Sequence, residues 1–244
     1  MAAQFCLGTS GFAYDEWKGI FYPADLKDSE MLPFYGTRFH SVEINYTYRR
    51  IPEEATVRRW AEQVPEGFRF ALKANQRITH FKRLRDAGED LREFVRLARL
   101  LGQRLGPILI QCPPNLGFDR ELLDRFLDIL PEDVMFAMEF RHPSWSAARD
   151  ILAQRGVGWC LAETEEHAVD RSSLPGGPFV YLRLRKEDYT DDDLRVWAGS
   201  ISRALGDGRD VHCYLKHEEK AVGPRFAARL GELVDEVSRG SATR

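Results

Sequence analysis

Residues 135–145 decide the fold, and they read Met-Phe-Ala-Met-Glu-Phe-Arg-His-Pro-Ser-Trp. The run opens as an apolar strand in which Glu139 and Arg141 are two positions apart and therefore share one face. Pro143 ends the strand, and His142 lies in the turn beside it. A carboxylate, a guanidinium and an imidazole thus gather at the carboxyl end of one strand. We interpret this stretch as the fifth strand of an eight-stranded barrel.

The rest of the chain carries the pattern of seven more strands. Alternating or wholly apolar runs place them at residues 5–11, 41–46, 70–75, 108–112, 159–163, 179–185 and 211–216. Helical spacing follows most of these strands and is clearest at Leu91, Phe94, Val95, Ala98 and Leu101. Residues 76–88 are predicted to be a long loop, and residues 164–178 contain no convincing helix. Strands that alternate with helices predict a parallel sheet.

The number of strand–helix units favours a closed barrel. About 250 residues is the usual length of a (β/α)8 barrel, and this chain has 244. We therefore predict an α/β, TIM-barrel-like fold as a single domain over residues 1–244, with the helix after strand six missing or minimal. An open, doubly wound parallel sheet is the alternative.

The composition favours a soluble globular protein. Hydrophobic residues make up 43% of the chain and charged residues 30%, and the net charge is −3. This net charge disfavours nucleic acid as a partner, although it allows a local basic cavity. We expect no signal peptide, because residues 1–4 run directly into the first predicted strand. We expect no membrane helix, because no apolar run reaches about 18 residues. The four cysteines form no CxxC pair, so we expect reduced thiols and a cytoplasmic location. The oligomeric state is left open.

Polar side chains stand at the ends of five predicted strands. They are Glu43, Asn45, Lys73, Asn75, Glu139, Arg141, Glu163, Arg183 and Arg185. In barrel enzymes the carboxyl ends of the strands surround the active site. Cations outnumber acids in this set, which favours a small anionic ligand such as a phosphate, a carboxylate or a nucleotide. A structural ring of salt bridges that closes the barrel is the alternative.

Two sets of residues follow as candidates for chemistry. We predict Glu139 or Glu43 as the general base and His142 or His80 as the acid. The predicted substrate contacts are Lys73, Arg141, Arg183, Asn45, Trp145 and Tyr189. The three cations would hold the anion, and the aromatic rings would stack on a sugar or a base. Structural histidines and aromatic loops that pack over the barrel are the alternatives.

No cofactor is predicted. A divalent metal could bind at a set of carboxylates and imidazoles, but no short ligand-spacing motif supports it. That set is Glu43, Glu139, His142, Glu163 and His217. Cys112 at a strand end is expected to be a core thiol rather than a nucleophile. Cys160 has the opposite parity to Glu163 and is expected to face the helices.

Motifs spread along the chain carry a family resemblance. They include Gly8-Thr9-Ser10-Gly11, Trp17-Lys18-Gly19, Val42-Glu43-Ile44-Asn45, Ile78-Thr79-His80, Gln111-Cys112-Pro113-Pro114 and the run from Glu139 to Trp145. In these motifs the chain resembles the YecE-like family, catalogued as domain of unknown function 72. The resemblance implies a TIM-barrel-like fold and a candidate pocket, and it implies no reaction. Glu163, Lys216 and His217 depart from the family pattern, which leaves their roles open.

Three functional hypotheses remain at this point. The leading one is an enzyme that acts on a small polar, anionic molecule in the barrel mouth, by hydrolysis, isomerisation or lyase chemistry. The second is a nucleic-acid-binding or -processing protein that uses the basic, aromatic-lined mouth. The third is a non-catalytic binding or scaffold protein.

Overall fold

The structure, a computed structural model, describes residues 3–216 and 219–242. Its strands are β1 Phe5–Thr9, β2 Ser41–Ile44, β3 Arg69–Lys73, β4 Leu105–Gln111, β5 Phe136–Glu139, β6 Gly158–Glu163, β7 Val180–Leu184 and β8 Val211–Leu215. Its α-helices are α1 Met31–Tyr35, α2 Tyr46–Arg49, α3 Glu54–Glu62, α4 Gly88–Ala98, α5 Arg120–Asp128, α6 Arg149–Gln154, α7 Asp191–Gly206 and α8 Val222–Ala242. Short 3₁₀ helices span Asp15–Trp17, Asp28–Glu30, Arg99–Arg104, Pro143–Ala148 and Glu219–Ala221.

The strands form one sheet in the order β1-β8-β7-β6-β5-β4-β3-β2. The two strands at the ends of this order also lie side by side, because a Cβ added to Gly8 of β1 would be 1.8 Å from the carbonyl oxygen of Ser41 in β2. The Tyr35 hydroxyl joins the same two strands, accepting from the Thr9 amide at 2.8 Å and donating to the Ser41 carbonyl at 3.1 Å. Only glycine permits so close an approach of two backbones. The predicted (β/α)8, TIM-barrel-like fold is therefore confirmed, and the open sheet is excluded.

The segment between β6 and β7 has no helix within the described residues 164–179, as predicted. Residues 76–88, predicted to be a loop, instead contain the π-helix Arg77–Phe81 and the start of α4. Asn75 initiates this turn, because its Oδ1 accepts from the Arg77 amide at 3.0 Å while its Nδ2 donates to the Thr47 carbonyl at 3.1 Å. The π-helix Arg77–Phe81 lacks the apolar periodicity by which helices are predicted, so the sequence pattern did not indicate it. Single π-helical turns are rare and occur frequently at functional sites.

Several helices begin where their sequence predicts. Asp119 caps α5 by accepting from the Leu122 amide at 2.9 Å, and Thr190 caps α7 in a capping box with Asp193. The apolar faces of α4 and α5 are buried, as the helical spacing predicts. Within the described part of the chain, none of the helices has the length and apolar character needed to cross a bilayer.

Contacts divide the chain into two units. Unit 1 comprises Met1–Val42, Leu161–Pro175 and Phe179–Arg244, and unit 2 comprises Glu43–Cys160 and Gly176–Pro178. The strands within each unit pair in parallel, with a register shift between Phe70 and Leu72 where β3 pairs with β4. In unit 1, Arg183 pairs with Tyr214, and in unit 2, Gln111 pairs with Glu139. Because paired residues of adjacent strands project to the same side of a sheet, Gln111 and Glu139 share one face.

Candidate functional site

Unit 2 brings five polar or aromatic side chains into one group, which we call the Glu139 cluster. Its members are Glu139, Arg141, Lys73, Tyr48 and His80. Glu139 ends β5 and pairs with Arg141 two residues later, with 3.2 Å between the Arg141 Nε and the Glu139 Oε1. The carboxylate side chain is 3% exposed, whereas the guanidinium side chain is 43% exposed. The acid is therefore buried while its partner reaches solvent.

Tyr48 links the other two members of the Glu139 cluster. The Lys73 Nζ lies 4.0 Å from the centroid of the Tyr48 ring, and the His80 ring meets the same ring edge-on at 5.1 Å. Each contact is of a type that contributes about 0.5–1 kcal/mol. Thr79 Oγ1 lies 2.8 Å from His80 Nδ1. This contact fixes the orientation of the imidazole and directs its other nitrogen away from Thr79.

The charges that act on the His80 imidazole are positive. The pKa of His80 is lowered from its ordinary value, first by burial and then by the charges of Lys73 and Arg141. The imidazole is therefore neutral near pH 7. A neutral imidazole close to two cations lies in a positive potential that an anionic ligand would offset.

Glu43 and Asn45 of the predicted site lie beside each other in unit 2. Asn45 Nδ2 donates to Glu43 Oε1 at 3.1 Å. Glu43 is fully buried, and Asn45 is half-buried. The Asn45 amide therefore supplies a hydrogen bond to one oxygen of the buried Glu43 carboxylate.

Gln111 is a candidate that the sequence analysis did not identify. It is 4% exposed at the end of β4 and is the register neighbour of Glu139. Its Oε1 has no hydrogen-bond partner among residues 3–216 and 219–242. A buried amide without a partner costs roughly 1–3 kcal/mol. The only sequence signal was a polar residue that ends an otherwise apolar run.

The two cysteines near Glu139 behave differently from each other. Cys112 is a core thiol as expected, and its pKa is raised by burial and by the charge of Glu139. Cys160 was expected to face the helices, and that expectation was wrong. Its Sγ lies 4.0 Å from Glu139 Oε2. Cys160 of β6 therefore lies on the same side of the sheet as the Glu139 carboxylate of β5.

His142 and Trp145 have structural contacts rather than an open position. His142 Nδ1 lies 2.8 Å from Ser144 Oγ and caps the 3₁₀ helix Pro143–Ala148. Trp145 was predicted to stack on a ligand, but it is buried against Phe140, with ring centroids 4.0 Å apart and planes inclined by 10°. Its Nε1 donates to the Leu116 carbonyl at 2.6 Å. Trp145 is thus a core residue, because its ring and its polar edge are both satisfied within unit 2.

Unit 1 contains a second strand-end group, the Glu163 cluster, made of Glu163, Arg171, Asp193 and Trp197. Glu163 was predicted to point into the mouth, but it faces α7 instead. Its Oε1 accepts from Arg171 Nε at 2.6 Å and its Oε2 accepts from Trp197 Nε1 at 3.2 Å. Arg171 also pairs with Asp193 in the first turn of α7. The acid is engaged by protein groups at both oxygens.

Tyr189, another predicted substrate contact, is also buried in unit 1. Its ring packs edge-on against Phe226 at 5.6 Å, and the Lys186 Nζ lies 5.4 Å from its centroid. Burial and the nearby charge of Glu163 raise the pKa of its hydroxyl. Tyr189 therefore fills the space beside the Glu163 cluster and presents no open aromatic face, contrary to the expectation.

Arg183, the third predicted anion-holding cation, is fully buried in unit 1. It lies on the face of β7 that also carries Tyr181, next to Tyr214 of β8. Lys216 donates its backbone amide to the Leu184 carbonyl at 3.0 Å, and His217 lies outside the described residues. Among the residues that are described, no three or more His, Cys, Asp or Glu side chains are arranged to hold a metal ion.

Comparison with known proteins connects this geometry with a family. The profile described as "Protein of unknown function DUF72" matches residues 6–243. The chain belongs to the DUF72 family. The resemblance seen in the motifs is therefore confirmed, and the family description carries no activity.

Two curated relatives and two solved structures place the chain within DUF72. It is 36% identical to the UPF0759 protein YecE of Escherichia coli K12 over 139 residues, which cover 53% of this chain and 51% of the relative. It is 24% identical to the UPF0759 protein YunF of Bacillus subtilis 168 over 181 residues, or 69% of this chain and 63% of the relative. The chain thus spans about half the length of the YecE relative that it matches.

The solved DUF72 structures show the same fold. The family member from Thermotoga maritima has a TM-score of 0.81 at 23% identity and covers 95% of this chain and 99% of its own. The member from Enterococcus faecalis V583 has a TM-score of 0.74 at 17% identity and covers 95% of this chain and 96% of its own. At these identities the likeness shows a common TIM-barrel-like fold.

Proposed function

We propose that this DUF72 protein binds a small anionic molecule at the Glu139 cluster and acts on it by acid–base chemistry. One observation supports this above the others: Lys73 and Arg141 both impose positive potential on the neutral imidazole of His80. A phosphate or carboxylate placed among these groups would offset that potential. Arg141 suits this role because a guanidinium can hold an oxyanion through two parallel hydrogen bonds.

Glu139 would serve as the general base. One of its partners is Arg141, which is 43% exposed and therefore able to turn toward a ligand. When an anion draws the guanidinium away, the buried carboxylate loses its stabilising charge and its basicity rises. Substrate binding would thereby activate the base at the moment when a proton has to be removed.

His80 would supply the complementary acid. Its pKa is lowered first by burial and then by the charges of Lys73 and Arg141. A bound anion would reduce the effect of both cations and raise the pKa toward the range in which an imidazolium can donate a proton. A base and an acid primed by the same anion suit isomerisation or lyase chemistry, and they also suit hydrolysis. We further propose that the reaction takes place in the cytoplasm, since all four cysteines are buried thiols.

A ligand screen with matched variants tests the proposal. Thermal shift over a panel of phosphorylated and carboxylated metabolites identifies a stabilising anion, and calorimetry gives its affinity. Lys73→Gln and Arg141→Gln should each weaken binding about tenfold or more, because a charge-assisted hydrogen bond is lost. Arg59→Gln, on the exposed side of α3, is the matched control and should bind as the wild type does. Glu139→Gln should retain binding but lose turnover.

Two results would refute the proposal. One is that no anion in the panel stabilises the wild-type protein. The other is that Arg141→Gln binds the stabilising anion as tightly as Arg59→Gln.

A further inference from the structure

A cavity of about 620 Å³ in unit 1 is not part of the proposed acid–base site. It is lined by residues on the segment from Ile20 to Phe39 and by residues at the start of α8. We propose that this unit 1 cavity binds an amphipathic organic anion, with an apolar body and one carboxylate or phosphate group. Its volume lies within the range of about 300–1,000 Å³ that is usual for small-molecule sites. The proposal is independent of the function assigned to the Glu139 cluster.

One wall of the unit 1 cavity is apolar. The rings of Phe21 and Phe39 stack 5.8 Å apart with planes inclined by 23°, and both line the cavity. Ile20 is 63% exposed on the same wall. An exposed aliphatic side chain beside stacked aromatic rings favours contact with an apolar ligand surface. This wall would bury the body of the ligand.

The remaining wall is cationic. Arg38, Lys220 and Arg225 line the cavity, and none of the described residues that line it carries a carboxylate. Within residues 3–216 and 219–242 none of these three side chains forms an ion pair. Arg229, one helical turn beyond Arg225 and outside the lining, pairs with Asp191 at 2.8 Å. Cations that lack an acidic partner while a neighbour on the same helix has one favour an anionic ligand.

The two guanidinium groups are held in place by aromatic rings. The Arg38 Cζ lies 5.4 Å from the Phe34 centroid, and the Arg225 Cζ lies 5.1 Å from the Phe226 centroid. Such cation–π contacts restrict a side chain without neutralising its charge. The cavity therefore presents ordered cations, which lose less conformational entropy on binding than mobile surface arginines would.

The backbone at the start of α8 adds to the positive potential. Pro224 and Arg225 lie in the first turn of this 21-residue helix, and that first turn contains no acidic residue. The amide groups of a first helical turn carry partial positive charge that favours an anion. Lys220 and Ala221, which also line the cavity, have φ values of 50° and 52°. Positive φ values belong to the left-handed backbone conformation, which is strained for non-glycine residues. Backbone strain of this kind is concentrated in ligand-binding segments.

Calorimetry with three small probes tests the proposal on the full chain. The amphipathic anion is 4-phenylbutyrate, its neutral counterpart is 4-phenylbutan-1-ol, and the bare head group is acetate. We expect 4-phenylbutyrate to bind about tenfold or more tightly than either of the others, because only it uses both walls. Arg38→Gln and Arg225→Gln should each weaken its binding about tenfold or more.

Further variants keep the test decisive. Ala228→Trp, on the cavity side of α8, should block 4-phenylbutyrate while leaving the circular dichroism spectrum unchanged. Arg59→Gln and Arg141→Gln, both in unit 2, should bind it as the wild type does. Equal binding of the alcohol, wild-type binding by Arg38→Gln and Arg225→Gln, or no binding at millimolar concentration would overturn the proposal. Loss of binding in Arg141→Gln alone would also overturn it, since it would assign the probe to the Glu139 cluster.

Discussion

The Glu139 cluster and the Glu163 cluster both contain a glutamate and an arginine, but they differ in how far the arginine is exposed to solvent. Each has a carboxylate at the end of a strand, 3% exposed for Glu139 and 2% for Glu163, and each pairs with an arginine. Both oxygens of Glu163 are engaged, by Arg171 and by Trp197. Glu139 also has a protein group at each oxygen, Arg141 at Oε1 and Cys160 at Oε2, but its arginine reaches solvent. The comparison teaches that the role of a buried acid depends on whether its cationic partner is held in the interior or reaches solvent.

The origin of the partner explains the difference. Arg171 comes from the helix-less segment after β6 and is 19% exposed, so it is held between Glu163 and Asp193. Arg141 is only two residues from its acid and is 43% exposed, so it can leave. A fully satisfied buried network rigidifies a structure, whereas an exposed arginine keeps the freedom to contact a ligand.

The largest effect on the free energy of unfolding is expected in the Glu163 cluster. Glu163→Ala should destabilise the protein by about 3–5 kcal/mol, because it leaves Arg171 and the Trp197 Nε1 without their buried acceptor. Urea denaturation measures this loss. Glu139→Ala should cost clearly less, since Arg141 can turn to solvent, and Glu54→Ala on the surface of α3 should cost least. Equal losses for Glu163→Ala and Glu139→Ala would show that the two clusters do not differ.

An increase in the free energy of unfolding is expected from a substitution next to the Glu139 cluster. Gln111→Met should stabilise the protein by about 1–2 kcal/mol, because it removes a buried amide oxygen that has no partner in the described chain. The same change should weaken binding of the anion found for the Glu139 cluster if Gln111 contributes to that site. Denaturation and calorimetry on one preparation give both values. A destabilised Gln111→Met variant would mean that the amide is already satisfied.

The smallest effect concerns the titration of His80. Folding lowers its pKa from 6.5, first by burial and then through Lys73 and Arg141. The stability that His80 contributes is therefore complete above pH 6.5 and is lost as the pH falls toward the folded pKa, because the unfolded chain then binds more protons. Lys73→Met should raise the His80 pKa in an NMR titration. Arg83→Met should raise it less, since the Arg83 charge is the smallest of the contributions. If the pKa of His80 were unchanged in Lys73→Met, Lys73 would not act on His80 and would not belong to the Glu139 cluster.

Much of the fold could be predicted from local pattern. Alternation marked β2, continuous apolar residues marked β4, and the helical spacing of Leu91 and Phe94 marked α4. The π-helix Arg77–Phe81 was missed because its start depends on hydrogen bonds of Asn75 and not on apolar spacing. Local periodicity reports which face is buried and does not report which partner a polar side chain finds.

The candidate site was predictable in part for the same reason. Lys73 and Glu139 end β3 and β5, and Arg141 follows β5 by two residues, as the strand pattern predicted, whereas their roles in a site stay a prediction. The opposite parity of Cys160 and Glu163 was also correct, but their faces were interchanged. A spacing of two residues shows that two side chains share a face of a strand, but it does not show which face packs against the helices. Trp145 and Tyr189 were assigned to a ligand because an aromatic ring in a loop gives the same signal whether it is exposed or buried.

The sequence by itself determined the eight strands, the missing helix after β6, the capping of α5 and α7, and the placement of charges at strand ends. These features depend on backbone geometry and on residues a few positions apart, so the order of residues is sufficient. Only the tertiary structure decided that Glu163 meets Arg171 and Trp197, that the Gln111 Oε1 has no hydrogen-bond partner in the described part of the chain, and that Lys73 and Arg141 both act on His80. Electrostatic and hydrogen-bond energies depend on distances in space, and folding sets those distances between residues far apart in the chain.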